Sequence, residues 1–165
     1  MAYGDEMARP SADAPDLKLD DQLCFALYAA SRAMTARYRP RLDALGLTYP
    51  QYLVMVVLWD EGETSVRGLG ERLRLDSGTL SPLLQRLEAG GLIDRRRSAG
   101  DERSVLVQST TQGHTLRDRA ARIPVDITSA LAAQGTLGGL DPDALRDALR
   151  SLERALRDTA PGTVD

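Results

Sequence analysis

The fold is decided by one stretch in the middle of the chain: residues 65–89 read SVRGLGERLRLDSGTLSPLLQRLEA, and residues 92–109 read LIDRRRSAGDERSVLVQS. In the first part, leucines recur at helical spacing on both sides of a break at Leu75-Asp76-Ser77-Gly78, which predicts two short helices with Ser77 as the N-cap of the second. In the second part, two strands flank residues 98–102, which predicts a hairpin. Two helices joined by a tight turn and followed by a hairpin indicate a winged helix-turn-helix, a motif that binds DNA.

A helix pair is predicted on the N-terminal side of this motif. Apolar residues at helical spacing indicate a helix from about Leu17, which Pro40 stops or bends. Thr48 and Gln51 then form a capping box. The nearly continuous apolar run at residues 53–59 is therefore interpreted as a buried helix, and a buried strand is the competing interpretation.

Two further helices are predicted on the C-terminal side. A long helix is expected from Thr111 to about Ala133, with a kink at Pro124. The pair Asp141-Pro142 predicts the start of a last helix. Four leucines form one seam along that helix, and they are Leu145, Leu149, Leu152 and Leu156. This seam lies outside the DNA-binding motif and needs a partner, which a second copy of the chain would supply.

The predicted fold is therefore mainly α with a small β-hairpin wing: a winged helix-turn-helix with N- and C-terminal dimerisation helices. Residues 1–16 and 161–165 are expected to be flexible tails of one domain that spans residues 17–160. Its DNA-binding part covers about residues 62–110, and its dimerisation helices cover about residues 17–45 and 111–160.

Composition narrows the classes of function. The 165 residues include one cysteine, Cys24, and one histidine, His114, which excludes an intrachain disulfide and leaves little for a metal site, so no metal or cofactor is expected. We find no membrane-spanning run and no leader pattern, and the expected location is the cytoplasm. The net charge is −3, yet Val66 to Arg103 carries eight arginines and six acidic residues, as a DNA-reading element on an acidic scaffold would.

Polar residues between the leucines of the second short helix are the first candidates for DNA contact, together with charged residues of the wing. Hydroxyls, Gln and Arg can bind bases or phosphates, and the alternative is a solvated helix face with surface ion pairs. Arg95, Arg96 and Arg97 alternate in direction along a strand, so they cannot all face DNA. The candidates are Ser77, Thr79, Ser81, Gln85, Arg86, Arg95, Arg97, Asp101 and Arg103.

Cys24 lies near the start of the first predicted helix. A lone cysteine is commonly an inert small hydrophobe, but the partial positive charge at a helix start favours a thiolate. Tyr28 lies one turn further along the same face. Tyr38 is about 21 Å away along a continuous helix, so it could reach only the thiol of a second, antiparallel copy.

Four segments together carry a resemblance to a known family: LCFALY at residues 23–28, LTYPQYL at 47–53, LDSGTLSPL at 75–83 and DERSV at 101–105. They closely resemble the organic-hydroperoxide-sensing repressors (OhrR) of the MarR family, over roughly residues 19–123. The resemblance implies a homodimeric repressor that leaves a pseudo-palindromic operator when organic hydroperoxide oxidises Cys24. It also implies that Tyr38 and Tyr49 of the other subunit hydrogen-bond the thiolate, with Tyr28 as a further tyrosine near the pocket.

The cysteine count places the chain with the one-cysteine members of that family. Some members carry a second cysteine that resolves the sulfenic acid, and this sequence has none. We therefore expect a small thiol to complete the switch as a mixed disulfide. Two other functions stay open: a MarR-type repressor that responds to a small aromatic ligand, and a cysteine-based peroxidase. Nothing in the sequence places an arginine or histidine on Cys24, so an enzyme is not expected.

Overall fold

The computed structural model of the chain describes residues 17–98, 100, 104–133, 139 and 141–159. The chain divides into two units, Met1–Ala36 and Arg37–Asp165, and the boundary falls inside the first helix. The two expected tails, residues 1–16 and 161–165, lie outside the described residues, as do residues 134–138 and 140 between the last two helices.

The first helix, α1 (Leu23–Asp43), begins later than the sequence analysis predicted. Residues 19–21 form a bend and a turn, and the Gln22 amide donates to the Leu19 carbonyl at 3.1 Å. Pro40 was predicted to stop or bend the helix, and the stop is wrong, because Pro40 lies inside α1. A proline there removes one backbone hydrogen bond close to the end of the helix, where few further bonds depend on it.

The second helix, α2 (Tyr49–Glu61), confirms the helical interpretation of the apolar run and excludes the competing strand. At its start, the side-chain oxygen of Gln51 accepts hydrogen bonds from the Thr48 amide at 2.9 Å and the Thr48 hydroxyl at 3.0 Å. Val54, Met55 and Leu58 are fully buried, so α2 runs through the middle of the core.

The helix-turn-helix and its wing are present as predicted, with one additional strand. The elements are β1 (Thr64–Ser65), α3 (Val66–Leu73), α4 (Ser77–Ala89), β2 (Ile93–Arg97) and β3 (Val105–Ser109). The strands form one antiparallel sheet in the order β1-β3-β2, with Arg95 opposite Val107. The short strand β1 was not predicted, since two residues are too few to show alternation.

The C-terminal part differs from the single long helix that was predicted. Helix α5 (Thr111–Thr115) is separated from α6 (Arg117–Ala133) by Leu116, and Pro124 lies inside α6. The last helix, α7 (Pro142–Asp158), begins as predicted, because Asp141 accepts a hydrogen bond from the Ala144 amide at 3.0 Å.

The leucine seam of α7 finds little cover within the chain. None of the residues of α7 is buried, and Leu149 and Leu156 are 43% and 65% exposed. One ion pair, Arg74 Nε to Glu153 Oε1 at 3.0 Å, ties α7 to the end of α3.

The core of the second unit is built from the end of α1, from α2, α3, α4 and α6, and from the sheet. Its fully enclosed members include Leu58, Leu69, Leu80, Leu84 and Val107. In the described part of the chain, no helix combines the length and the apolar character that crossing a membrane requires.

Candidate nucleic-acid interface and thiol site

Helix α4 buries three of its four leucines and exposes the polar residues predicted to contact DNA. Leu80, Leu84 and Leu87 are each 1% exposed and pack into the core. The five predicted DNA-contact residues of this helix are all exposed, and they are Ser77, Thr79, Ser81, Gln85 and Arg86. The helix therefore presents one continuous polar face while its other face anchors it, as a recognition helix requires.

The N-terminus of α4 is capped by Asp76, which corrects the prediction of Ser77. The Asp76 carboxylate accepts hydrogen bonds from the amide and the hydroxyl of Thr79, both at 2.9 Å. These bonds hold the pKa of Asp76 below its ordinary value. Ser81 donates its hydroxyl hydrogen to the Ser77 carbonyl at 2.7 Å. Two of the predicted contact residues thus already bond within their own helix.

We expect the Asp76→Asn variant to be less stable than the native chain at pH 7 and to lose that difference in acid. Folding favours the ionised carboxyl, so its stabilisation is present above the unfolded pKa and disappears as the pH falls through the lowered folded pKa. Asparagine still caps the helix but does not titrate. Urea unfolding of both proteins at pH 7 and at about pH 3 measures the difference. A difference that stays constant with pH would contradict this role of the carboxylate.

A groove of about 790 Å³ lies beside the polar face of α4. Helix α3 contributes Arg67 and Glu71, α4 contributes Ser77 and Ser81, and β2 contributes Arg95. Hydroxyl, guanidinium and carboxylate groups therefore line, together with apolar side chains such as Val66 and Val105, one open surface beside the recognition helix.

The three arginines of β2 alternate in direction, as expected. Arg95 Nε donates to Glu88 Oε2 at 2.8 Å, its Nη2 contacts the same oxygen, and this pairing lowers the pKa of Glu88 and raises that of Arg95. Arg96 binds Glu63 through two hydrogen bonds of 2.9 and 2.8 Å on the opposite face of the strand. Arg97 is exposed. Glu88 therefore holds the Arg95 guanidinium through Nε and Nη2.

We expect Glu88→Gln to tighten binding to double-stranded DNA roughly three- to tenfold at low salt, because Arg95 loses its acidic partner and a negative charge leaves the interface. The salt dependence should steepen by about one counterion for the same reason. Fluorescence anisotropy over a salt series measures both quantities. Glu63→Gln is the matched control, since it releases Arg96 on the other face of the strand and should change neither. Equal effects of the two variants would show that charge alone matters.

The tip of the wing lies outside the described residues, and with it the predicted contacts Asp101 and Arg103. The base of the loop is described: the Ser98 amide donates to the Ser104 carbonyl at 2.8 Å. This bond extends the pairing of β2 and β3 by one step toward the tip.

Cys24 is the second residue of α1 and its side chain is exposed. Tyr28, one turn further along, is also exposed, and its hydroxyl oxygen accepts a hydrogen bond from Arg32 Nη1 at 2.9 Å. The same guanidinium lies 5.5 Å from the centre of the Tyr28 ring. Arg32 of the same helix therefore orients Tyr28. Because the Tyr28 hydroxyl accepts in this hydrogen bond, its own hydrogen is not used there.

Tyr38 and Tyr49 are brought together in the second unit, although they belong to α1 and α2. Their ring centres are 5.0 Å apart in an edge-to-face arrangement. Tyr52 completes this tyrosine cluster, at 6.0 Å from Tyr38 and 6.1 Å from Tyr49. The sequence analysis missed Tyr52, but its spacing of three residues from Tyr49 on one helix was an available signal.

The hydroxyl groups of the tyrosine cluster are all protonated at neutral pH. Burial raises the pKa of Tyr49 and, together with repulsion from a charge on Tyr49, that of Tyr38. Burial and then repulsion from the other two tyrosines raise the pKa of Tyr52 to about 12. No hydrogen bond to these hydroxyls occurs among the described residues. The cluster therefore holds hydrogen-bond donors without an acceptor.

Trp59 links the tyrosine cluster to the base of the wing. Its ring centre lies 6.5 Å from that of Tyr52, and its Nε1–H donates to the Gly113 carbonyl at 3.1 Å. Gly113 lies in α5, directly after β3. In the part of the chain that the structure describes, no group of three histidine, cysteine or acidic side chains is placed to hold a metal ion.

Comparison with known proteins identifies the family. The family model described as "Transcriptional regulator SarA/Rot" matches residues 37–119. The chain is 48% identical to the organic hydroperoxide resistance transcriptional regulator of Bacillus subtilis (strain 168), over 85% of this chain and 88% of that protein. It is 43% identical to the HTH-type transcriptional regulator TtmR of Methylorubrum extorquens (strain PA1), over 95% of this chain and 78% of that protein.

The solved structures agree with this result. Reduced AbfR bound to DNA matches with a TM-score of 0.69 and 32% identity, over 85% of this chain and 93% of that chain. Overoxidized AbfR bound to DNA matches with the same values. The chain therefore belongs to the MarR-type winged helix-turn-helix transcriptional regulators, within the group of the organic hydroperoxide resistance regulators, and its single cysteine matches the one-cysteine type.

Proposed function

We propose that this chain is a homodimeric repressor that binds pseudo-palindromic operator DNA and releases it when an organic hydroperoxide oxidises Cys24. The observation that carries the DNA-binding part is the exposed polar face of α4, held in place by its buried leucines. The exposed thiol of Cys24 in the first turn of α1 supports the sensing part. The identity to the Bacillus regulator supports both.

In this proposal α4 enters the major groove of DNA. Gln85 and Arg86 read base edges or phosphates, while Ser77, Thr79 and Ser81 contact the nearby backbone. The arginines of the wing, Arg95, Arg97 and Arg103, bind the flanking backbone or minor groove, and Asp101 orients Arg103. The hydroxyl-lined groove beside α4 supports such a surface.

A dimer follows from the uncovered seam of α7. Leu149 and Leu156 are exposed in the single chain, and burying them against a second copy would stabilise the pair. A two-fold axis then places two recognition helices about 34 Å apart, one turn of DNA. We therefore assign residues 17–160 to one dimeric domain. Residues 17–45 and 111–160 form the interface between the two subunits, and residues 62–110 form the DNA-binding part.

The chemistry at Cys24 takes two steps. The thiolate attacks the hydroperoxide, the O–O bond breaks, and Cys24 sulfenic acid and an alcohol result. A small thiol then condenses with the sulfenic acid, which forms a mixed disulfide and releases water. Tyr38 and Tyr49 of one subunit donate hydrogen bonds to the thiolate of Cys24 of the partner subunit, and Tyr28 supports it from its own helix.

The added bulk changes the spacing of the two recognition helices. A shift of a few ångströms in the half-site distance removes contacts in both half-sites at once. In this proposal the chain consumes peroxide once per cysteine, because the mixed disulfide leaves no free thiol at Cys24, and so it acts as a cytoplasmic sensor without enzyme activity.

Simultaneous measurement of DNA binding and of the mass of the protein tests this proposal. A duplex selected from random sequence by the reduced chain serves as the operator. We expect cumene hydroperoxide with a small thiol to release the duplex, and the intact mass to gain one thiol minus two hydrogens per chain. Release of DNA while the mass of Cys24 stays unchanged would contradict the proposal.

A small aromatic ligand is the second candidate function, and one feature favours it. A groove of about 370 Å³ has apolar walls at Tyr52, Val56 and Trp59, and its charged lining residues are Asp60 and Arg117. A planar acid could lie on the rings with its carboxylate on Arg117. Response to such a ligand would survive replacement of Cys24, whereas the response to peroxide would not. Steady-state turnover of peroxide would instead indicate the peroxidase alternative.

A further inference from the structure

Tyr52 lies at the centre of the aromatic side chains of the second unit. Its ring contacts Tyr38 at 6.0 Å, Tyr49 at 6.1 Å and Trp59 at 6.5 Å between centres. The residue is 6% exposed, whereas Tyr38 and Tyr49 are only half-buried. Of the three tyrosines it is therefore the one most firmly enclosed by the protein.

Packing alone orients the Tyr38 and Tyr49 rings in the single chain. In the described part of the structure, neither hydroxyl takes part in a hydrogen bond, so no polar contact fixes a ring angle. Rotation about χ1 moves a tyrosine hydroxyl by far more than the tolerance of a hydrogen bond, whereas rotation about χ2 leaves its oxygen on the ring axis. Packing neighbours therefore set where these hydroxyls point, and Tyr52 is the buried ring that contacts both.

Tyr52 is itself fixed from the other side by Trp59. The indole Nε1–H of Trp59 donates to the Gly113 carbonyl at 3.1 Å, which locks the indole against α5. The Trp59 and Tyr52 rings meet at an interplanar angle of 62°, an edge-to-face arrangement. Tyr52 thus lies between Trp59, which a hydrogen bond holds in place, and the rings of Tyr38 and Tyr49, whose hydroxyls make no hydrogen bond among the described residues.

We propose that Tyr52 is a positioning residue of the thiol site, whose ring holds Tyr38 and Tyr49 so that their hydroxyls point at Cys24 of the partner subunit. This inference rests on the proposed function. Tyr52 acts through its ring and not through its hydroxyl. The ring makes every contact described, and no side-chain oxygen or nitrogen in the described residues is both fully enclosed and unbonded. The Tyr52 hydroxyl therefore keeps an opening to solvent and needs no partner.

Replacement of Tyr52 by phenylalanine and by leucine separates the ring from the hydroxyl. The readouts are the rate of Cys24 alkylation by iodoacetamide across pH and the rate of oxidation by cumene hydroperoxide. For Tyr52→Leu we expect the pH profile of alkylation to move up by about one unit, with about tenfold slower oxidation at pH 7 and no difference at high pH. Tyr52→Phe should match the native chain in both. A merely structural role of the ring would not shift a pH profile.

Two outcomes overturn the proposal. One is an unchanged profile in Tyr52→Leu, and the other is an equal shift in Tyr52→Phe, which would assign the effect to the hydroxyl. Binding of the selected duplex by each reduced variant reports whether the fold is intact. If the leucine variant does not fold, Tyr52→Met fills the same space with a flexible chain and carries the same expectations.

The failure of this inference is distinguishable from the failure of the proposed function. Cys24→Ser tests the proposed function, because that function is wrong if the serine variant still releases DNA on peroxide treatment. If the serine variant stays bound and Tyr52→Leu keeps the native profile, the sensor stands and only the role of Tyr52 is overturned.

Discussion

Cys24→Ser should bind the selected duplex as tightly as the native chain and keep it bound at concentrations of organic hydroperoxide that release the native chain fully. Serine is nearly the same size, and the side chain at this position is exposed, so the fold should not change. The hydroxyl of serine is not ionised at neutral pH and does not attack a peroxide. Anisotropy titration of the reduced and treated proteins, with a small thiol present, measures the difference.

Met34→Leu is the matched control for this experiment. Met34 lies on the same helix, is 41% exposed and carries an oxidisable thioether sulfur. We expect Met34→Leu to release DNA as the native chain does, because only the cysteine sulfur forms a disulfide. If Met34→Leu resists peroxide and Cys24→Ser does not, the sensing sulfur is the thioether.

Gly113→Ala should lower the free energy of unfolding by about 3 kcal/mol or more, since overpacking at this site meets rigid groups. A Cβ atom at Gly113 would lie 2.2 Å from the Leu92 carbonyl oxygen, 2.6 Å from Ser109 Oγ and 3.0 Å from Met55 Cε. Alanine is favoured over glycine in helices by about 1 kcal/mol. This gain is too small to offset a clash with a backbone carbonyl.

Gly90→Ala is the control for that substitution. Gly90 has an ordinary φ of −80°, and a Cβ atom there would meet nothing closer than 3.4 Å. Urea unfolding should therefore place Gly90→Ala within about 1 kcal/mol of the native chain. If Gly113→Ala lowers the free energy of unfolding no more than Gly90→Ala does, a small backbone shift relieves the crowding at Gly113. Because the Gly113 carbonyl accepts the Trp59 hydrogen bond, DNA binding should fall with stability in Gly113→Ala.

The recognition helix shows how far local patterns carry. The leucine spacing at residues 80–87 predicted both the helix and the face that is buried, because side chains three and four apart share a face whatever the tertiary structure. The N-cap was displaced by one residue: Asp76 and Ser77 are both good caps, and the backbone conformation around them decides between the two. The same limit explains the helix start at Leu23 and the break at Leu116.

The arrangement of the tyrosine cluster could not be predicted from the resemblance alone. The resemblance implied that Tyr38 and Tyr49 bind one thiolate, and the structure places their ring centres 5.0 Å apart across two helices. Tyr52 went unnoticed because a tyrosine within an apolar run reads as part of the core. Its burial confirms that interpretation, while its ring contacts with Tyr38 and Tyr49, which the run could not reveal, support the positioning role that we propose.

The sequence by itself determined the helix-turn-helix, the wing and the single thiol. It also determined that Arg95, Arg96 and Arg97 cannot all face the same side of their strand. Each of these depends on residue type or on neighbours a few positions apart. Only the tertiary structure decided that Glu88 holds Arg95, that Glu63 holds Arg96, and that Trp59 reaches Gly113. Those pairs join different elements up to 54 residues apart, and their contact depends on how helices and sheet pack together.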